Sequence, residues 1–187
     1  MNELAKNRAQ DGEARPNLKR RARIMVALIV VLILMGVNLA IGTDRLQIEK
    51  VISESMLPTL EIDDRLLVDK NAVPKRYDIV IVNDPDRPGE KLVKRIIGMP
   101  DDLIVIDGGV LYVNGEEQFS RQVTDNTIDW RDLRVRVPLG KVFVLGDNRN
   151  NSYDSLNFGP VAKDQIRGVM QGIIWPPSRW RRVQPFE

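Results

Sequence analysis

Residues 47–60, Gln47-Ile48-Glu49-Lys50-Val51-Ile52-Ser53-Glu54-Ser55-Met56-Leu57-Pro58-Thr59-Leu60, mark the point where the chain changes character. An uncharged apolar run lies before them, and short apolar segments of period two follow. Gln47 to Ile52 alternates and predicts a strand that leads directly into Ser53. Ser55, close to a second serine and followed by Met56 and Pro58, is either a nucleophile or an ordinary turn residue. A hydroxyl near its free pKa is a poor nucleophile, so a hydrolase built on Ser55 needs a base from elsewhere. The 187 residues include no His and no Cys. That removes the commonest base, the thiol alternative, disulfides and zinc-thiolate sites together. Lys, Asp, Glu or a metal remain as activators.

Downstream, the strand pattern continues. Arg65–Asp69, Asp78–Val82 and Leu92–Ile97 are apolar runs of strand length. Asp102–Ile106 and Val110–Val113 flank Asp107-Gly108-Gly109, a hairpin signal, and Asn114-Gly115 is a second turn. Residues 118–133 are polar and irregular, which predicts a surface excursion. Arg134–Val137 and Val142–Leu145 resume the sheet. Ala162–Ile166 predicts one helical turn before a last strand, Gly168–Trp175, which Pro176-Pro177 ends. The fold class expected is mainly β, with enough residues for a real core.

Upstream, Ile24–Gly42 carries no charge over 19 residues. As a helix it would span roughly 28 Å, about one bilayer core. A buried soluble helix would show a polar face, and this run has none. A cleaved leader would have a shorter apolar region, so a retained transmembrane anchor is expected. Residues 1–23 hold seven Lys/Arg against three Asp/Glu, while the rest of the chain is net −2. This basic arm, polar and without periodicity, predicts a flexible segment on the cytoplasmic side, with residues 43–187 across the membrane. The charge balance therefore speaks of topology and gives no argument for nucleic-acid binding.

Lys94 is the candidate base. One face of its strand carries Leu92, Lys94 and Ile96, the other Val93, Arg95 and Ile97. Burial would disfavour the ammonium, lower its pKa and leave an amine able to accept the Ser55 proton. The alternative is a lysine at a strand edge with its ammonium in water. Gly146-Asp147-Asn148-Arg149-Asn150-Asn151-Ser152-Tyr153-Asp154-Ser155 is the third informative stretch. Such a loop can simply satisfy its own backbone through Asx turns. Its functional reading places Ser152 beside the Lys94 amine, with Asp147, Arg149 and Asp154 as a charged brace. Asp147 and Asp154 lack EF-hand spacing and its terminal Glu, so no metal site is expected.

Together these stretches resemble the type I signal peptidases, the Ser–Lys leader peptidases of bacterial membranes. SESMLPTL (53–60) resembles the nucleophile box, LVKRIIGMPDD (92–102) the lysine box and GDNRNNSYDS (146–155) a third box; DDRLLVDK (63–70) resembles the box between the first two. Four boxes in order, behind an anchor, make a specific match. The resemblance covers about residues 20–177, and its asparagine-rich third box and single short anchor are closer to the cyanobacterial and thylakoid branch. It implies a signal-peptidase/LexA-like β catalytic domain, with Ser55 as nucleophile and Lys94 as general base. Ser53 would contribute to the oxyanion hole and Ser152 would hold the lysine. It also implies pockets for small side chains lined by Val51, Leu60 and Val93, and a brace of Arg95, Asp147, Arg149 and Asp154. The expected substrates are signal peptides of exported preproteins, cut after Ala-x-Ala motifs. The expected surroundings are membrane lipid with translocation machinery nearby; no cofactor, metal or nucleic acid is implied.

Several positions depart from the common family pattern. Glu54 stands where Gly is frequent, Asp101 replaces Gly, Asn150 replaces Asp, Leu156 replaces an Arg, and Glu49 occupies an often apolar position. Two rival readings remain. A self-cleaving Ser–Lys repressor protease would carry a DNA-binding domain where this chain has its apolar run. A membrane-anchored non-catalytic β binding domain would leave Ser55 unreactive toward acylating inhibitors.

Overall fold

Branched apolar residues along short segments favour paired strands, and among the described residues twelve strands form, all paired antiparallel. The computed structural model describes residues 18–42, 44–119, 123, 127–128 and 132–182. The chain divides into two units, Met1–Thr43 and Asp44–Glu187.

The first unit contains one helix, α1 (Leu18–Gly42). It begins inside the stretch expected to be a flexible arm. Leu, Lys, Arg and Ala are good helix formers, and a helix already nucleated by the apolar run extends readily through them. The expected arm at residues 1–17 lies outside the described residues. Apolar side chains from Ile24 to Leu39 are exposed all round the helix. Among the described residues, no helix is long and apolar enough to cross a membrane.

The second unit holds the strands β1 (Leu46–Lys50), β2 (Arg65–Asp69), β3 (Ile79–Asn83), β4 (Lys91–Gly98), β5 (Leu103–Asp107), β6 (Val110–Val113), β7 (Glu116–Glu117), β8 (Leu133–Arg136) and β9 (Lys141–Leu145). A short helix α2 (Ser155–Phe158), then β10 (Val161–Ala162), β11 (Ile166–Trp175) and β12 (Arg181–Arg182) complete it. The larger sheet runs β1-β2-β11-β3-β4-β9-β10, with β12 beside β11; the smaller runs β7-β6-β5-β8. The mainly β class is as expected. The predicted turn near residue 164 is a 3₁₀ helix, Lys163–Gln165.

Two differences from the sequence reading have clear causes. The segment 118–133 was expected on the surface, yet Val123 and Ile128 are buried. Ile128 donates its N–H to Gly109 O at 2.8 Å and packs with Ile97, Ile104, Leu111 and Phe143. Isolated apolar residues in a polar run give no period to detect, although each can still fill a core position. The helix α2 was not expected either. Asp154 caps it: its carboxylate accepts from Leu156 N, and the Asn157 side chain accepts from Asp154 N.

Asp101 has φ of 72°, a left-handed conformation that favours glycine. Its exposed contacts to Arg136 hold little free energy. Asp101→Gly is therefore expected to stabilise the fold by up to about 1 kcal/mol. The midpoint of urea unfolding checks this; a shift to lower urea would contradict it.

Candidate active site

Period-two alternation on β4 sends Arg95 and Lys94 to opposite sides of the sheet, and the neighbouring strands bury both. Lys94 lies opposite Val80 on β3, and Arg95 lies between Ile79 on β3 and Leu145 on β9. Leu92 and Ile96, on either side of Lys94, pack with Val80, Val82 and Val144. Lys94 is 2% exposed. Its ammonium has left water, and burial lowers its pKa from 10.5 to about 8. The negative charges of Asp154, Asp147 and Asp84 oppose that shift without cancelling it.

Ser55 reaches this amine from a turn between β1 and β2. The turn is closed by Val51 N donating to Asp64 O and Asp63 N to Val51 O, at 2.9 and 3.0 Å. Met56 and Leu60 anchor it in the core beside Leu66, Val68 and Ile173. Lys94 Nζ lies 2.6 Å from Ser55 Oγ, the spacing of a direct hydrogen bond between a base and its nucleophile. Ser53 Oγ is 3.3 Å from Ser55 Oγ. Ser55 is 8% exposed and opens on a cleft of about 770 Å³. Ser53, Glu54, Lys94 and Ser152 share its walls, and Ile52, Ile62 and Leu92 supply apolar lining.

The stretch 146–155 holds this arrangement from below. Asn148 N donates to Ser55 O at 3.0 Å, fixing the backbone of the serine. A Cβ on Gly146 would fall 2.4 Å from both Ser55 O and Ser152 Oγ, so only glycine fits between them. Ser152 Oγ is buried without a hydrogen-bond partner among the described residues and makes no hydrogen bond to Lys94. It lies near enough to Asp154 to favour that carboxylate, although burial dominates and raises the Asp154 pKa.

The four residues of the expected brace come together with a definite division of labour. Arg95 donates Nε to Asp147 Oδ1 at 2.8 Å and Nη2 to Asp147 Oδ2 at 2.6 Å, a buried bidentate pair. Its Nη1 donates to Tyr77 O. Thr59 Oγ1 donates to the same Asp147 carboxylate at 2.5 Å, tying the nucleophile turn to the brace. Asp154 accepts from Gly146 N and Leu156 N. Arg149 is buried between these charges, with Nε and Nη1 unpartnered. Burial lowers its pKa while Asp147 and Asp154 raise it. Leu156 fills a core position, and backbone N–H groups partner Asp154 where the family pattern has an arginine.

Val51 and Leu60 are buried in one apolar cluster, against which Val93 packs. That cluster lies behind the nucleophile turn, and none of the three lines the open cleft. Their neighbours Ile52 and Leu92 do, because successive residues of an extended chain face opposite ways. Sequence reasoning also missed the C-terminal strap. Arg179 forks onto Asp64 with two bonds of 2.9 Å and also pairs with Glu61, while Arg181 Nη2 donates to Thr59 O at 2.6 Å. Three arginines after Pro176-Pro177 were the only signal, and they carried no partner information. Among the described residues no group of three or more acidic, His or Cys side chains is placed to hold a metal ion.

A hydroxyl hydrogen-bonded to a desolvated amine, in an open cleft with a second hydroxyl beside it, is suited to nucleophilic acyl transfer. The family model described as "Signal peptidase, peptidase S26" matches residues 21–175. A signal peptidase I of Leptolyngbya laminosa is 36% identical over 144 residues, covering 71% of this chain and 70% of its own length. Signal peptidase I U of Bacillus subtilis is 35% identical over 184 residues, covering 89% of this chain and 96% of its own. A crystal structure of a signal peptidase I from Enterococcus faecalis matches with a TM-score of 0.45 and 32% identity, over 52% of this chain and 97% of that one. The cyanobacterial and Bacillus relatives stand at nearly the same identity, so these matches favour neither branch. With Ser55, Lys94 and the Arg95–Asp147 pair all inside the matched segment, the chain belongs to the signal peptidase family, peptidase S26.

Proposed function

We propose that this protein is a membrane-anchored serine endopeptidase that removes N-terminal signal peptides from exported preproteins. Ser55 Oγ attacks the scissile carbonyl as Lys94 Nζ takes its proton. The C–N bond then breaks, the proton passes to the leaving amine, and an acyl-enzyme remains on Ser55. Lys94 next activates water to release the peptide. Ser53 Oγ and the Ser55 N–H stabilise the oxyanion, a contribution worth roughly 3 kcal/mol per donor in acyl-transfer enzymes. Ser152 shares the cleft wall with Lys94 and would steady the amine only after its hydroxyl turns from its present position; the brace of Arg95, Asp147, Arg149 and Asp154 keeps the 146–155 loop under Ser55. The observation that carries the reading is the 2.6 Å approach of Lys94 Nζ to Ser55 Oγ in a buried setting.

Ile24–Gly42 serves as the single membrane span, with the basic residues before it on the cytoplasmic side. This topology rests on the sequence: an uncharged 19-residue run preceded by Lys19, Arg20, Arg21 and Arg23. The catalytic unit then faces the far side, close to lipid and to the exit of the translocation machinery. The substrate chain lies extended along β1, which pairs only with β2 among the described strands and so offers a free edge. Small side chains are read on either side of one variable position, as in Ala-x-Ala.

The reading is tested with the full chain in detergent and a synthetic precursor containing one Ala-x-Ala motif. Mass spectrometry is expected to find one cut, after the second Ala. Replacing that Ala by Leu is expected to slow cleavage at least about tenfold. No cleavage, or a cut placed by basic residues, would contradict the assignment.

A further inference from the structure

Glu54 stands between Ser53 and Ser55 and lines the cleft. Its backbone is fixed: Glu54 O accepts from Leu57 N at 3.0 Å and from Asn148 Nδ2 at 3.2 Å. Its side chain is exposed, and its described contact is a weak one, from Asn151 Nδ2 to Oε2 at 3.5 Å. No cation pairs with it among the described residues.

The other charges on the cleft wall do not neutralise it. Arg87 also lines the cleft, but its guanidinium is already paired with Asp84 and Glu90. Lys94 must be an uncharged amine to act as base. Asn150, Asn151 and Asn157 are neutral lining groups. A single uncompensated anion therefore stands one residue from the nucleophile, on a rigid turn.

We infer that Glu54 is a specificity-determining residue that makes the cleft select for basic, and against acidic, substrate side chains beside the scissile bond. This deepens the peptidase reading and rests on it. A substrate cation near Glu54 gains a favourable Coulomb contact and a substrate anion loses one. Both interactions occur in a half-open cleft, where each is modest but the two add in a ratio. About tenfold discrimination between Lys and Asp is expected at low salt, falling toward unity at 1 M, where the screening length is about 3 Å.

The test uses the full chain in detergent with precursor peptides that keep both small residues. Lys, Gln or Asp is placed singly at the variable position between them and at the first two positions beyond the cut. kcat/KM is measured for wild type, Glu54→Gln and Glu54→Lys. The wild type is expected to cut a Lys peptide about tenfold faster than its Asp counterpart in at least one position. Glu54→Gln is expected to bring that ratio near one, and Glu54→Lys to invert it. Each ratio is internal to one variant, so a general loss of activity cancels. If Gln peptides are cut but the Lys-to-Asp ratio is the same in all three proteins, the inference fails while the peptidase reading stands. If the wild type cuts none of the peptides, both fail.

Discussion

Lys94→Met is expected to lower kcat/KM on an Ala-x-Ala precursor by about 10⁴-fold or more without lowering fold stability. The kinetic loss follows from the amine's position 2.6 Å from Ser55 Oγ. Without it the hydroxyl has no described base within reach, and losing one member of such a unit costs roughly 10⁴ to 10⁶. Ser55→Ala should cost about the same, and the double variant no more than either, because the two act as one device. Stability moves the other way. The Lys94 pKa is about 8 in the fold against 10.5 for a free lysine. Between those values the unfolded chain binds a proton that the folded chain does not, so stability rises with pH across that window. Below pH 8 the ammonium is present in both states, and its burial costs about 3 kcal/mol at 1.36 kcal/mol per unit. Methionine fills similar volume without that cost. A thermal midpoint at pH 7 equal to or above wild type, with activity lost, is the expected pair of results. Either single variant working within tenfold of wild type would contradict the dyad.

Gly146→Ala is expected to remove activity from the opposite direction, through the backbone. The added methyl would lie 2.4 Å from Ser55 O and from Ser152 Oγ. The Ser152 hydroxyl can turn away but its Cβ, 2.6 Å from the added methyl, cannot, and Ser55 O is a backbone atom that also accepts from Asn148 N. Relief therefore requires the turn at Ser55 and the backbone at Ser152 to move apart from Gly146. Forced packing of this kind costs about 1–3 kcal/mol. A shift of the nucleophile by about 1 Å costs on the order of 10²-fold in rate. Activity measured well below the lowered unfolding midpoint separates the two effects. A variant that folds and retains full activity would show that Gly146 does not set the position of Ser55.

How much of this was legible in the sequence depended on the range of the interactions involved. The strands of the larger sheet follow alternating or continuous apolar runs of strand length, and the β5–β6 hairpin follows Asp107-Gly108-Gly109, so local chemistry sufficed. Lys94 could be placed on one face of β4, but the depth of its burial depends on β3 and on the turn at Ser55. The members of the brace were recognisable as charged residues, whereas their partners were not. Arg95 takes Asp147 because strand register brings them together, and Asp154 caps α2 while also accepting from Gly146 N. Ile52 and Leu92 line the cleft, while Val51 and Val93, one position away on each strand, face the apolar cluster. Alternation gives two faces without saying which one opens to solvent. Arg179 and Asp64 lie 115 positions apart, and nothing local links them.

The central claim is that Lys94, uncharged, is the base for Ser55. Its most direct test is the pH dependence of kcat/KM for the wild-type chain on a precursor with no titratable side chain near the cut. A lysine held near pKa 8 by burial predicts a rate that rises with pH and levels off above an apparent pKa of about 8. A rate that is flat from pH 6 to 9, or that falls as pH rises through 8, would contradict it.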